Sequence, residues 1–266
     1  MRVIDLKELK RIETNILIHV HEFCEKNSLR YFLSGGTLLG AVRHQGFIPW
    51  DDDIDIVMPR EDFMLFIKAF KNDQFSVLKP GDRGYFYNFA KVVDTRTSLM
   101  EEGVKGIPGY GVYIDVFPID GMPSNENERL MHFSQLNEIR KNIHRFSAQK
   151  PKIRKNVIRL LNEEKNYIWS LSADLNKYQD EYLKCALQYP YNECEYIYMS
   201  GGAYGIKEIY EKRLFSSSIL VQFEGKSFRA PALYEEYLTL TYGDFMKLPP
   251  ADKQVSHHHF AAYYFD

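Results

Sequence analysis

Three features of this sequence predict a mixed α/β fold, in the α+β sense that strands and helices are partly segregated. Helical and strand periodicities alternate over the first 120 residues, helix-forming sequence fills 125–190, and short strand signals return after it. The 266 residues suit a single domain, 1–266, with 125–190 as a helical insertion within it.

Composition narrows the function. A net charge of −2 gives no global attraction to nucleic acid. Three cysteines, Cys24, Cys185 and Cys194, lack CxxC spacing, which argues against a disulfide framework and for a reducing compartment. The start, MRVIDLKELKR, is charged too early for a secretory signal, and no stretch approaches 18 apolar residues. A cytoplasmic protein is expected.

The elements follow in order. Leu6, Leu9, Ile12, Ile16, Val20 and Phe23 recur at three- and four-residue intervals, so 3–27 is predicted as an amphipathic helix. Leu29–Leu33 reads as a short strand. Ser34-Gly35-Gly36-Thr37 then turns into a helix that carries Arg43 and His44. Such a turn aims backbone N–H groups along the helix axis and makes an anion site, and glycine permits a close approach. Arg43 and His44 either reach that anion or are solvated.

Pro49 breaks the chain into an extended segment, and Asp51–Met58 reads as a strand. Strand alternation puts Asp51, Asp53 and Asp55 on one face, with Asp53 and Asp55 about 7 Å apart at Cα, and turns Asp52 away. Four carboxylates crowded at the mouth of an apolar strand call for a cation, Mg²⁺ or Mn²⁺, that would hold phosphates, the plain alternative being a solvated acidic turn. An EF-hand calcium loop fails: its sixth position is Ile56 and its twelfth Asp62.

A helix is expected over Glu61–Lys71, and strands over Phe75–Leu78 and Tyr85–Val93. Lys91, in the latter strand, either contacts phosphate or is solvated. In GVYIDVFPID, Asp115 is a lone carboxylate in an apolar strand and needs a cation or a strong hydrogen-bond set. It is read as a third metal ligand or general base, the alternative being a structurally hydrogen-bonded Asp. Asp120 is read as a cap or turn residue.

Between Ile139 and Asn162 there are eight basic residues and no acid: Arg140, Lys141, Arg145, Lys150, Lys152, Arg154, Lys155 and Arg159. They form solvated helix faces, or else a patch for anionic lipid headgroups or a lipid-linked pyrophosphate acceptor. A strand over Tyr196–Met199, a hairpin around Glu224-Gly225-Lys226 and a helix over Pro231–Tyr242 follow. His257–His259 lack zinc spacing, and one of them is a candidate substrate contact.

GTLLGAVRHQGFIPWDDDIDIVMPREDF, within Tyr31–Phe63, resembles the signature of the LicD family, related to fukutin. GVYIDVFPID and the closing YGDFMKLPP resemble its later blocks. The resemblance implies a nucleotidyltransferase-like mixed sheet in which a glycine turn precedes an Asp-x-Asp strand and a neighbouring strand adds a third carboxylate. Carried over, these are Gly35 and Gly36 with Thr37, then Asp53 and Asp55, then Asp115, with Asp51 as a same-face helper. Arg43 and Lys91 are the candidate anion contacts beside them.

The activity implied is metal-dependent transfer of phosphocholine from CDP-choline, or a related CDP-alcohol, to a sugar hydroxyl. The acceptor would be a lipid-linked glycan, a precursor of teichoic acid or lipopolysaccharide, met at the inner face of the cell membrane. Aromatic side chains would surround the trimethylammonium group, Trp50 being one candidate. Rival readings are a nucleotidyltransferase, a transferase for CDP-ribitol, CDP-glycerol or CDP-ethanolamine, and a non-catalytic metal- or nucleotide-binding protein.

Overall fold

The computed structural model describes residues 2–101, 105–148, 157–255 and 260–265. His257–His259 lie outside the described residues, as do Lys150, Lys152, Arg154 and Lys155 of the basic run. The chain opens with β1 (Arg2–Val3), α1 (Leu6–Asn27), β2 (Phe32–Leu33), α2 (Gly35–His44), β3 (Asp55–Pro59) and α3 (Arg60–Ala69). It continues with β4 (Phe75–Leu78), β5 (Ala90–Asp94), β6 (Thr97–Glu101) and β7 (Tyr113–Met122). The helices α4 (Glu126–His144), α5 (Val157–Ser172) and α6 (Leu175–Ala186) follow. Then come β8 (Tyr196–Met199), β9 (Ile209–Glu211), β10 (Ser218–Phe223), β11 (Lys226–Pro231), α7 (Tyr234–Tyr242) and β12 (Phe260–Tyr264).

The mixed sheet is centred on β7. Its order is β2-β3-β7-β5-β4, and the far half of β7 also pairs with β8, which carries β9. Only β3 and β7 are parallel; every other pair in this sheet is antiparallel. Ile114, Val116 and Ile119 of β7 are fully buried, as expected for a strand flanked on both edges. The register sets Asp55 opposite Asp115, and Asp115 opposite Lys91. Three polar residues thus form one row across three adjacent strands of an apolar sheet.

Helix α1 packs against β5 and β7. Asp5 caps it by accepting from Glu8 N at 2.8 Å, and Leu9, Ile12, Ile16, Leu17 and Val20 fill its buried face. The expected strand Asp51–Met58 begins only at Asp55. Asp51 N donates instead to Ile48 O in a turn that follows the Pro49 break. The expected strand Tyr85–Val93 likewise starts at Ala90.

Asp120 is not a turn residue. It lies within β7, buried, where Arg60 of α3 binds both its carboxylate oxygens at 2.6 and 2.7 Å. Ser200 Oγ donates to the same carboxylate, and Tyr182 of α6 donates to Ser200. Elsewhere, β10 and β11 form the expected hairpin, with Glu224 and Gly225 both at positive φ as a tight two-residue turn requires. A separate sheet, β1-β12-β6, joins the two chain ends.

Candidate active site

The glycine turn and the acidic segment are bound to each other. Ser34 N donates to Asp55 O at 3.1 Å, and Asp55 N donates to Thr37 Oγ1 at 2.8 Å. Gly35 has φ +53°, and a Cβ there would stand 3.2 Å from Asp55 Oδ2. A Cβ on Gly36 would stand 2.5 Å from Asp51 Oδ2. Only glycine lets the first turn of α2 approach the carboxylates this closely. The turn is steadied from the far end of the chain: Tyr237 OH bonds Ser34 Oγ at 2.9 Å and accepts from Gly35 N at 3.2 Å.

These residues face a cavity of about 810 Å³ whose walls include Gly35, Gly36, Asp51, Asp53, Asp55 and Asp115. Burial, then the charges of Asp53, Asp115 and Asp51, push the Asp55 carboxyl well above the usual carboxylate range, with Lys91 opposing them. Such crowding is what a multivalent cation relieves. Asp51, Asp52 and Asp53 can each bring one oxygen so that the three lie within 4.8 Å of one another. An all-oxygen set of this kind fits Mg²⁺ or Mn²⁺ rather than a softer metal. Asp52, which alternation would have turned away, is in this group because 51–54 is not a strand.

Thr37, Arg43 and Lys91 are not among the cavity's lining residues. Thr37 is buried and holds Asp55 N. Arg43 donates to Phe245 O at 3.0 Å and to His44 Nε2 at 2.9 Å, so it secures the closing YGDF stretch to α2. Lys91 Nζ lies 2.6 Å from Asp115 Oδ1 and 3.5 Å from the centre of the Tyr113 ring, with its side chain almost wholly buried. The cation that Asp115 was expected to need therefore includes a lysine of the adjacent strand, desolvated against aromatic faces.

Trp50, Phe86, Tyr87 and Phe89 add aromatic lining to the cavity. Arg140, Lys141 and His144 of α4 line it as well, as do Gly201, Gly202 and Glu208. Arg140 donates to Gly202 O and Asn137 Oδ1, both at 3.2 Å. At least two members of the basic run thus face the cavity rather than only solvent. Glu208 is buried and accepts from Gly205 N at 3.1 Å.

Comparison with known proteins gives this geometry a lineage. Residues 28–144 match the family model described as LicD/FKTN/FKRP, nucleotidyltransferase domain. The chain is 33% identical over 275 residues to the lipopolysaccharide cholinephosphotransferase LicD of Haemophilus influenzae, covering 99% of each chain. The chain belongs to the LicD family. It is accordingly a phosphotransferase enzyme. A 38-residue segment is also 53% identical to the ribitol 5-phosphate transferase FKRP of mouse and of human, over 14% of this chain and 8% of each relative.

Within this LicD-family site, two acids escape the motif. Glu13 of α1 is buried, and its Oε2 has no hydrogen-bond partner among the described residues. Burial, then the charges of Asp53 and Asp52, hold its carboxyl well above the usual range. Its position on the apolar stripe, four after Leu9 and three before Ile16, was a readable signal. Glu208 lies in an irregular stretch with no periodicity to mark it.

Proposed function

We propose that the protein transfers phosphocholine from CDP-choline to a sugar hydroxyl of a cell-surface glycopolymer, a lipopolysaccharide or teichoic acid precursor, with release of CMP. The observation that carries this is the convergence of Asp51, Asp53, Asp55 and Asp115 on one cavity beside the Gly35-Gly36 turn. The chain's end-to-end identity to a cholinephosphotransferase supports the choice of group.

The carboxylates Asp53, Asp55 and Asp115, with Asp51 and Asp52, would hold Mg²⁺ or Mn²⁺. When bound, such an ion supplies neutralisation of the charge that develops on the departing CMP phosphate. The first-turn N–H groups of α2 beyond Gly35, whose own N–H goes to Tyr237, orient the donor's phosphate oxygens. Lys91 fixes Asp115 in its rotamer through their ion pair. Arg140 and Lys141 face the donor from α4 and add positive charge on that side. The aromatic lining around Trp50 receives the trimethylammonium group and excludes water from it. The acceptor is a lipid-linked glycan, met at the inner face of the membrane. Among the described residues no helix is long and apolar enough to cross a membrane.

Incubating the protein with Mg²⁺, a glycan acceptor and a panel of CDP-alcohols tests the reading. Acceptor-dependent CMP release with CDP-choline is expected, with EDTA abolishing it. Asp53→Ala and Asp55→Ala should each lower turnover by about 10²-fold or more while leaving the circular dichroism spectrum intact. Label appearing in the acceptor from cytidine rather than from choline would mean a nucleotidyltransferase instead. The similarity to FKRP favours one second reading, CDP-ribitol as donor, which the same panel separates.

A further inference from the structure

We propose that Glu208 is the general base that removes the proton from the acceptor hydroxyl, an assignment that rests on the phosphotransfer reading above. The step needs a proton acceptor within the cavity. The hydroxyl oxygen forms a bond to the phosphorus, the phosphorus–oxygen bond to CMP breaks, and CMP leaves with the electron pair. The hydroxyl proton goes to a base, and a carboxylate lining the cavity takes it up ahead of water or the departing phosphate.

The carboxylates lining the cavity divide into two sets. Asp51, Asp53 and Asp55 belong to the set that would hold the cation, and Asp115 Oδ1 is held by Lys91 at 2.6 Å. Glu208 lines the same cavity from a different element, the single 3-10 turn Gly205–Glu208. It is only 3% exposed, so its charge is poorly hydrated and its basicity is available to a bound substrate.

Its position is fixed. Gly205 N donates to Oε2 at 3.1 Å, and the bare Gly202 backbone packs so close that a Cβ there would overlap the carboxylate. Tyr237 connects the two sides, since its hydroxyl binds the Ser34-Gly35 turn while feeling the charges of both Glu208 and Asp55.

Burial pushes the Glu208 carboxyl up to about 7, against the N–H groups of Tyr204 and Gly205 and the charge of Arg140. The groups facing it are Arg140 from α4, Tyr198 from β8, Tyr210 from β9 and Tyr237 from α7. All three tyrosines are shifted upward by burial and stay neutral near pH 7. The carboxylate is the active form, so activity falls as pH drops below about 7. His144, which lines the same cavity, is the rival base.

The test compares the wild type, Glu208→Gln and His144→Asn with CDP-choline, Mg²⁺ and acceptor from pH 5 to 9. Glu208→Gln should lower kcat by about 10²–10⁴-fold and erase the acidic limb, with donor affinity and melting temperature unchanged. Glu208→Asp, a second variant should the first not fold, should keep the limb at reduced kcat. Wild-type kcat in Glu208→Gln overturns the assignment, as does loss of donor binding alongside turnover. So does a limb removed by His144→Asn instead, or a wild-type profile flat across the range. Absence of acceptor-dependent CMP release from the wild type with every CDP-alcohol sinks the phosphotransfer reading itself, and this assignment with it.

Discussion

Gly36 decides how near the start of α2 can come to the carboxylates. Adding one methyl group in Gly36→Ala places a carbon 2.5 Å from Asp51 Oδ2, so the carboxylate must swing away. A displacement of about 1 Å in a positioning group costs about 10²-fold in rate. Steady-state turnover of Gly36→Ala should fall by that order, while its melting temperature stays within a few degrees of the parent. At this scale the sequence was a good guide to charge and a poor one to partnership. Asp53, Asp55 and Asp115 announced themselves as carboxylates beside apolar residues, and the cavity gathers them. Lys91 and Arg43 looked identical in character, yet one is paired with Asp115 and the other with Phe245 O. Which neighbour a long cationic side chain meets depends on strand order and on contacts about 200 residues away, neither of which local pattern carries.

Elements obey their periodicity until something interrupts it. The stripe of α1 and the Glu224-Gly225 hairpin were legible because each is governed by local rules. Strand alternation does not extend over 51–54, where the chain leaves a proline break and turns before entering β3, so Asp52 joins the cluster. The reading of Asp120 failed for the opposite reason. A glycine after it suggested a turn, but β7 runs on to Met122 because β8 offers its second half an edge to pair with. The Arg60–Asp120 pair that results ties α3 to β7 inside the protein. Asp120→Asn would leave the Arg60 guanidinium without its counter-charge, at a cost of about 3–5 kcal/mol. Urea unfolding should show the midpoint falling accordingly. A loss of unfolding free energy under about 1 kcal/mol would mean that water reaches the arginine.

At the scale of the molecule, β12 closes the chain on itself. It pairs with β1 on one side and β6 on the other, and Ala262 O accepts from Ile4 N at 2.9 Å. None of its residues lines the cavity. Deleting residues 260–266 should therefore lower the melting temperature and expose the amides of Arg2–Ile4 and Thr97–Glu101 to hydrogen exchange. The amides of β3 and β7 should stay protected, and turnover should persist at low temperature. Loss of β7 protection in the truncated protein would show instead that the two sheets fold as one unit. This closure was invisible in the sequence, since two-residue strands such as β1 carry no periodicity and owe their conformation to the partner.

The tie between the glycine turn and α7 has a consequence for how the protein is made. Ser34 and Gly35 emerge from the ribosome well before Tyr237 and Phe245, which hold this turn and Arg43 from 202 residues further on. A nascent chain that stops short of Tyr237 carries every aspartate of the cluster but none of these clamps. Such a chain has the carboxylates without the geometry. The first turn of α2 therefore gains its final geometry only after α7 has been made.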